Sequence, residues 1–525
     1  MGGKTDMGTD LRRYGPMLLL AAIVLCAGFW RAAGDTVDDA WITFRCVQNF
    51  VHGAGLGFNP DARVECFSNP LMVLLLTPAA AAGIPLAAAA RAIGTLSFFI
   101  CIFGTFRLAR CCGASPLFCT AAACATATAF PLLYYSITGL ETGLFAALLL
   151  GGVWRYARQK RLDLTGALLW LAVAWCRPEG VAYVVSFLFL VFLRERQTSR
   201  NAFFWPIFLI ASAISAGVLI RHAYYGLWLP NTFYAKPPGT ADLDPASGAV
   251  RSALLYLRAY IFGMGLIPPA FAAWAALLAL RDTWRRRSVE MPLLLTAVLG
   301  TGVAFAFYTG GDWFPAGRYL QPVTPVLMTV AALGAQELAS RFKRTARPGL
   351  LVAMLFLPMV LANVITLGDF QRHRNRYPFH VMDGRALAEA GRWMHVNLPP
   401  GARIAAYRIG AVGYFAECEI IDLFGLADHT IARLIARYPD YHPGRAMGDD
   451  VPELHDLLAA RPPEALLPIG FQGNKHHSEL ERYGLNYNFV KAWPLGCDQE
   501  LLLYLRQDIR AGGTAHATPR HACNH

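Results

Sequence analysis

From Pro16 to Gly368 the chain alternates apolar runs of roughly twenty residues with short polar breaks, and each run is long enough to cross a bilayer core of about 30 Å. The first run, PMLLLAAIVLCAGFWRAA, is followed by many others and lacks a clean small-residue cleavage site. It is read as a retained helix, not a signal peptide. The stretch over 69–110 looks like two spans broken near Gly83 to Pro85. After Gly368 the pattern changes. A helix-period segment over Gly384–Asn397 leads to a Pro-Pro-Gly turn and a strand-like run, Arg403–Tyr407. A short apolar run over Glu419–Phe424 precedes a helical one over Asp428–Tyr438. Such alternation predicts an α/β domain over 369–510, with a disordered tail over 511–525.

Composition agrees with a polytopic α-helical membrane protein. Of 525 residues, 55% are hydrophobic and 16% charged, and the mean hydropathy is +0.37. The net charge of +12 invites a nucleic-acid reading, but its distribution argues against one. Basic residues cluster in short inter-span loops: RYARQKR from Arg155, RERQTSR from Arg194, RDTWRRRS from Arg281 and RFKRTAR from Arg341. That is the positive-inside pattern, so these loops face the cytoplasm and no nucleic-acid partner is expected. The chain then emerges on the far side at Gly34–Ser68, near Ser136–Glu141, near Cys176–Glu179, over His222–Val250, over Thr309–Arg318 and again after Gly368. Sidedness allows one net crossing over 69–110, so one piece is expected as a juxtamembrane or re-entrant helix. The count is about eleven spans, forming a transmembrane domain over 1–368 with an extracytoplasmic domain after it.

Cysteines add little. Cys46 and Cys66 share the first outer loop, Cys418 and Cys497 share the carboxyl-terminal domain, and an oxidising outer compartment would permit a disulfide in each place. No CxxC pair or zinc-spaced cluster occurs. GAGLG at Gly53–Gly57 lacks the strand–turn–helix setting of a nucleotide-binding loop and reads as a turn.

The candidate chemistry lies on the outer side. Asp38, Asp39 and Arg45 lie in the first outer loop, Glu141 in SITGLET, and Arg177 with Glu179 in WCRPEG. Asn231 and Lys236 lie in LPNTFYAK, and Asp312, Trp313 and Arg318 in TGGDWFPAGRYLQP. Each has an ordinary structural role open to it, such as a helix-end ion pair or an interfacial anchor. Acids, bases and aromatics delivered by several separate loops to one side describe a cavity instead. Charges at span ends also avoid most of the roughly 2.5–3.5 kcal/mol cost of a charge at mid-bilayer.

The stretch DDAWITFRCVQNFVHGAGLGFNPDARVECFSNPL resembles the first extracytoplasmic loop of GT-C glycosyltransferases, and is most similar to the branch containing the mycobacterial-type terminal β-(1→2) arabinofuranosyltransferase. The resemblance continues in order through GLET, CRPEG, LPNTFYAK, GGDWFPAGRYLQP and IGAVGYFAECEIIDLFGLADHTIAR, and departs at Cys66, where Gly commonly follows the Glu. It implies a GT-C fold in the bacterial cytoplasmic membrane with its active site outside. It also implies transfer of a sugar, arabinofuranose in the nearest branch, from a polyprenyl-phosphate donor to a glycan, glycolipid or protein acceptor. The expected roles follow from the residue types. Asp38 or Asp39 is the catalytic carboxylate, and the pair is the candidate site for a divalent cation, with no other cofactor expected. Lys236, Arg318 and Arg177 face the donor phosphate. Glu141, Glu179, Asn231, Asp312, Trp313 and Arg45 face the substrates. A transporter or flippase of polyprenyl-linked glycans is the competing class. Against it stand the lack of an internal repeat and of charges in paired broken helices. A non-catalytic membrane scaffold is a third class, and it leaves the clustered acids and bases unexplained.

Overall fold

The computed structural model describes residues 36–60, 62–195, 200–236, 249–264, 266–286, 290–312, 314, 316–341, 384–438, 452–471, 486–496 and 499–509, with isolated positions between 349 and 361. The expected first span, Trp313, Cys497 and the tail over 511–525 lie outside the described residues. The chain divides into two compact units. One comprises Met1–Gly34, Arg91–Ala216 and Ala246–Arg372, and the other Asp35–Ala90, Gly217–Pro245 and His373–His525. The first outer loop therefore groups with the residues after 372, a pairing that composition along the chain does not announce.

The first unit is helical. After α3 (Leu86–Cys111) come α4 (Pro116–Ala127), α5 (Phe130–Ile137), α6 (Thr142–Gln159), α7 (Leu164–Cys176), α8 (Gly180–Glu195) and α9 (Arg200–Tyr225). They are followed by α11 (Ala249–Met264), α12 (Ile267–Arg286), α13 (Met291–Thr309), the 3-10 helix η1 (Arg318–Val323) and α14 (Thr324–Arg341). Small residues let these helices approach closely. A Cβ on Gly94 of α3 would lie 1.6 Å from the Ser136 carbonyl oxygen, and one on Gly180 would lie 2.0 Å from that of Val173. Aromatic side chains fill the interior, with Trp170 stacked on Phe187 at 4.3 Å.

Large apolar side chains also point outward. Leu96, Phe99 and Phe103 of α3 are 62%, 52% and 64% exposed, an i, i+3, i+7 stripe that water would penalise and hydrocarbon accepts. Four helices among the described residues are long and apolar enough to cross a membrane, or six if two bent pairs are each one span. Several runs expected to be spans fold as shorter apolar helices of 10–17 residues, among them Leu164–Cys176 and Gly180–Arg194. The 69–110 stretch divides into α2 (Pro70–Ala81), too short to cross at about 1.5 Å per residue, and the long α3.

The second unit joins α1 (Asp38–Val51), α2 and the five-residue α10 (Asn231–Ala235) to a mixed sheet with its helices. The helix expected over Gly384–Asn397 is present as α15. β1 (Arg403–Ala406) pairs in parallel with β2 (Glu419–Asp422) through the crossover helix α16 (Gly410–Ala416). α17 (His429–Ile435) and α18 (Pro452–Ala460) lead to β3 (Ala465–Leu467), β4 (Ile469–Phe471), β5 (Tyr487–Gly496) and β6 (Gln499–Arg506). β3 is parallel to β1, and β6 runs antiparallel to β3, β4 and β5. The core over one face includes Leu423, Ile431, Leu454, Leu466, Leu502 and Tyr504.

Candidate active site

α1 begins with two carboxylates in its first turn, where the positive end of the helix dipole favours them. Adjacent helical side chains diverge by about 100°, and these two have different surroundings. Asp38 is buried and its carboxylate accepts the N–H groups of Ala411, at 2.7 Å, and Gly410, at 3.3 Å. Asp39 is partly exposed. Burial raises the Asp38 carboxyl to about 6; the Ala411 amide works against that rise and the Asp39 charge adds to it.

Seven residues on, Arg45 meets the other end of the same short helix. Its Nε donates to the Phe58 carbonyl at 2.6 Å, Nη1 donates to that of Gly413, and Nη2 donates to that of Cys418 at 2.6 Å. Its guanidinium also lies 4.5 Å from the Phe58 ring centroid. Two turns of α1 and the seven residues of α16 both measure about 10.5 Å. α1 therefore holds α16 with an acid at its amino end and a base at its carboxyl end, each favourable to the dipole. Gly410 is required at the junction, because a Cβ there would lie 1.9 Å from the Asp38 carbonyl oxygen. Burial lowers the Arg45 guanidinium to about 10.

Asn231 is likewise occupied by backbone. Its Nδ2 donates to the carbonyls of Gly425 and Leu426 at 2.8 and 2.9 Å, and His429 Nδ1 lies 2.9 Å from its Oδ1. Lys236 Nζ sits 5.0 Å from the Phe424 ring centroid. Four further charged residues of this unit, Glu65, Arg221, Arg408 and Asp422, carry no role in the sequence reading. Glu65 is buried and paired with Arg221 through Nε at 2.5 Å and Nη2 at 3.1 Å. Arg408 lies in the field of both Asp38 and Asp39. Asp422, at the end of β2, accepts the Phe424 and Ala427 amides at 2.9 and 2.7 Å. A lone acid within IIDLFGL is the signal that marks Asp422.

Burial raises Asp422 from 3.8 to about 7. Asp38 and Asp422 thus hold their protons more tightly folded than unfolded, the reverse of a salt-bridged carboxylate. Their linked contribution to stability grows as pH falls from about 7 towards 3.8 and is lost as pH rises through the folded values. The melting temperature of wild type relative to Asp422→Asn should therefore rise as the pH is lowered from about 7.5 to about 4.5. Parallel profiles for the two proteins would contradict this account.

The first unit holds a second charged cluster, built from helix ends. Glu141 precedes α6, Arg177 ends α7, Glu179 precedes α8, Asp312 follows α13, and Arg318 opens η1. All five are buried. Arg177 pairs through Nη1 with Glu141 and through Nε with Glu179. Arg318 Nε donates to Asp312 Oδ2 at 2.8 Å, and its guanidinium lies 3.7 Å from the Phe314 ring centroid. The Tyr319 ring joins the two groups, 5.3 Å from the Arg177 guanidinium and 5.2 Å from that of Arg318. Tyr256 accepts the Tyr319 N–H at 2.7 Å and also hydrogen-bonds Asp312. Gly311, at φ +94°, lets the chain turn against the Tyr256 ring.

The expected site residues therefore form two sets. Glu141, Arg177, Glu179, Asp312 and Arg318 belong to the first unit, and Asp38, Asp39, Arg45, Asn231 and Lys236 to the second. As a cation site, the Asp38–Asp39 pair offers one partly open carboxylate, since both oxygens of the other already accept amides. Among the described residues no group of three or more His, Cys, Asp or Glu side chains assembles around a common point.

Residues 372–511 match a family model described as a domain of unknown function, DUF8728. No curated protein matches the chain. Among solved structures, ArnT from Cupriavidus metallidurans bound to undecaprenyl phosphate superposes with a TM-score of 0.56 at 13% identity, covering 93% of this chain and 98% of that one. The apo oligosaccharyltransferase of Archaeoglobus fulgidus gives 0.53 at 13% identity, over 94% and 75% of the two chains. The chain has the fold of these enzymes. The largely helical fold with several apolar helices that the sequence predicts is the fold shared with these two chains. The likeness does not single out the arabinofuranosyltransferase branch. The archaeal enzyme AglB from Archaeoglobus fulgidus, in complex with an inhibitory peptide and a dolichol-phosphate, matches at a TM-score of 0.50 over 79% of this chain and 65% of that one.

Proposed function

We propose that this protein is a membrane glycosyltransferase that takes a sugar, arabinofuranose in our reading, from a polyprenyl-phosphate donor. It delivers the sugar to a glycan, glycolipid or protein acceptor at the outer face of the bacterial cytoplasmic membrane. The observation that carries this reading is the GT-C fold over 93% of the chain, shared with an enzyme bound to undecaprenyl phosphate. The carboxylate arrangement supports it. Asp38 anchors α16, and the partly exposed Asp39 beside it is our candidate to accept the acceptor hydroxyl's proton. The acceptor oxygen bonds to the anomeric carbon, the bond from that carbon to the phosphate oxygen breaks, and the lipid phosphate leaves with the electron pair. Lys236, Arg177 and Arg318 are our candidates to stabilise its growing charge. Both arginines begin paired with carboxylates, so donor binding exchanges one ion pair for another. Glu141, Glu179 and Asp312 then set the positions of those arginines, while Asn231 and Arg45 hold the backbone of their own unit.

The test is mass spectrometry of products from purified protein in liposomes supplied with defined polyprenyl-phosphate sugars and acceptor-rich membrane extract. A pentose increment on the acceptor, with release of polyprenyl phosphate, is the expected result. Folded protein that transfers no sugar from any donor would sink the proposal. Movement of intact lipid-linked sugar between leaflets without product would mark a flippase instead.

A further inference from the structure

α1 and the chain that returns from it carry two cysteines that the proposed chemistry does not use. Cys46 and Cys66 are 0% and 3% exposed, and their sulfurs approach to 2.9 Å as free thiols. That is inside the van der Waals separation of two sulfurs, though longer than the S–S bond of about 2.05 Å. The backbone already holds them in register. Cys46 lies on the buried face of α1, one residue after the Arg45 clamp. The returning strap is fixed to α1 by Asn49, whose Nδ2 donates to the Gly57 and Phe58 carbonyls at 2.9 and 2.8 Å. It is fixed beyond Cys66 by the Thr43 hydroxyl, which donates to Asn69 Oδ1 at 3.2 Å. The sulfurs therefore face each other between two segments that are tied together on either side of them.

We propose that Cys46 and Cys66 are a disulfide-forming pair that staples the strap to the helix bearing Asp39, and that the staple is the resident state of the protein in its outer compartment. The in-cell part rests on the outward placement of this loop proposed above. Each thiol gives up its proton, the two sulfurs bond, and two electrons pass to a disulfide-bearing oxidoreductase of that compartment. The thiols are too deeply buried for casual oxidation once the protein is folded, so the bond forms as the strap closes.

The experiment uses the full-length protein from native membranes, quenched in acid and alkylated only after denaturation. Trypsin cleaves after Arg45 and Arg63, which places the sulfurs on separate peptides, Cys46–Arg63 and Val64–Arg91. The expected result is a Cys46–Cys66 linked peptide pair that reduction separates. A second arm keeps cells reducing, purifies the thiol form and refolds it with oxidised glutathione. Linkage in both arms supports the proposal. Free thiols in cells with linkage in the refolded protein overturn the resident staple, and point to a strap facing a reducing compartment. Free thiols in both, or linkage of either cysteine to Cys418, overturn the pairing itself. The double variant Cys46→Ser, Cys66→Ser is expected to melt below the oxidised wild type and to lose the downward shift that a reductant causes in it.

Discussion

Asp39→Asn is expected to lose sugar transfer by roughly 10²–10⁴-fold, the range for removing a positioned proton acceptor, while melting like the wild type. Asn has the same shape as Asp, and the side chain is partly exposed, so the substitution opens no cavity there. Asp38→Ala should behave in the opposite sense. It leaves the Gly410 and Ala411 amides without their acceptor, at a cost of about 0.5–2 kcal/mol by analogy with helix caps. Its losses should therefore appear first as a lower melting temperature, and Asp38→Asn, which keeps one acceptor oxygen, should recover part of them. Measuring transfer and melting on the same liposome preparations separates the two. Full transfer by Asp39→Asn, or a folded Asp38→Asn with no transfer, would reverse the assignment.

The sequence foreshadows that divergence without deciding it. A helical period says that neighbouring side chains point apart, but which of them meets the amides of α16 depends on a contact 373 residues away. Arg45 and Asn231 illustrate the same limit. Both are substrate-ligand candidates in the sequence, because a cation and an amide near a membrane boundary suit sugars and phosphates. Arg45 Nη1 and Asn231 Nδ2 donate to carbonyls 368 and 194 residues away in sequence. Local patterns were legible. The 3.6-residue period over Gly384–Asn397 gave α15 its bounds, and the apolar runs at Arg403 and Glu419 became parallel strands. The span count was less so, because an apolar run reports hydrophobic length and not where Pro or a turn divides it. WCRPEG divides such a run into helices of 13 and 16 residues, and the break is where Arg177 and Glu179 sit. The ion pairs were legible as residues at span ends, but their pairing required the fold.

The buried network of the first unit yields the largest expected effect on stability. Three carboxylates, Glu141, Glu179 and Asp312, share the interior with two guanidiniums, Arg177 and Arg318. Arg177 pairs with both Glu141 and Glu179, so Arg177→Ala removes from two buried acids the guanidinium they share in a low-dielectric setting. Breaking a buried pair in this way costs about 3–5 kcal/mol, whereas replacing all its members with apolar groups of similar volume is often neutral. Arg177→Ala should accordingly melt far below wild type in detergent. The triple variant Arg177→Met, Glu141→Leu, Glu179→Leu should recover most of that loss. If the single variant melts with the wild type, the network contributes no net stability and its charges have been misread. If the triple variant is stable yet transfers no sugar, these charges serve the donor rather than the fold. A stable triple variant with full transfer would remove Arg177 from the phosphate site and leave Arg318 and Lys236 to hold the leaving group.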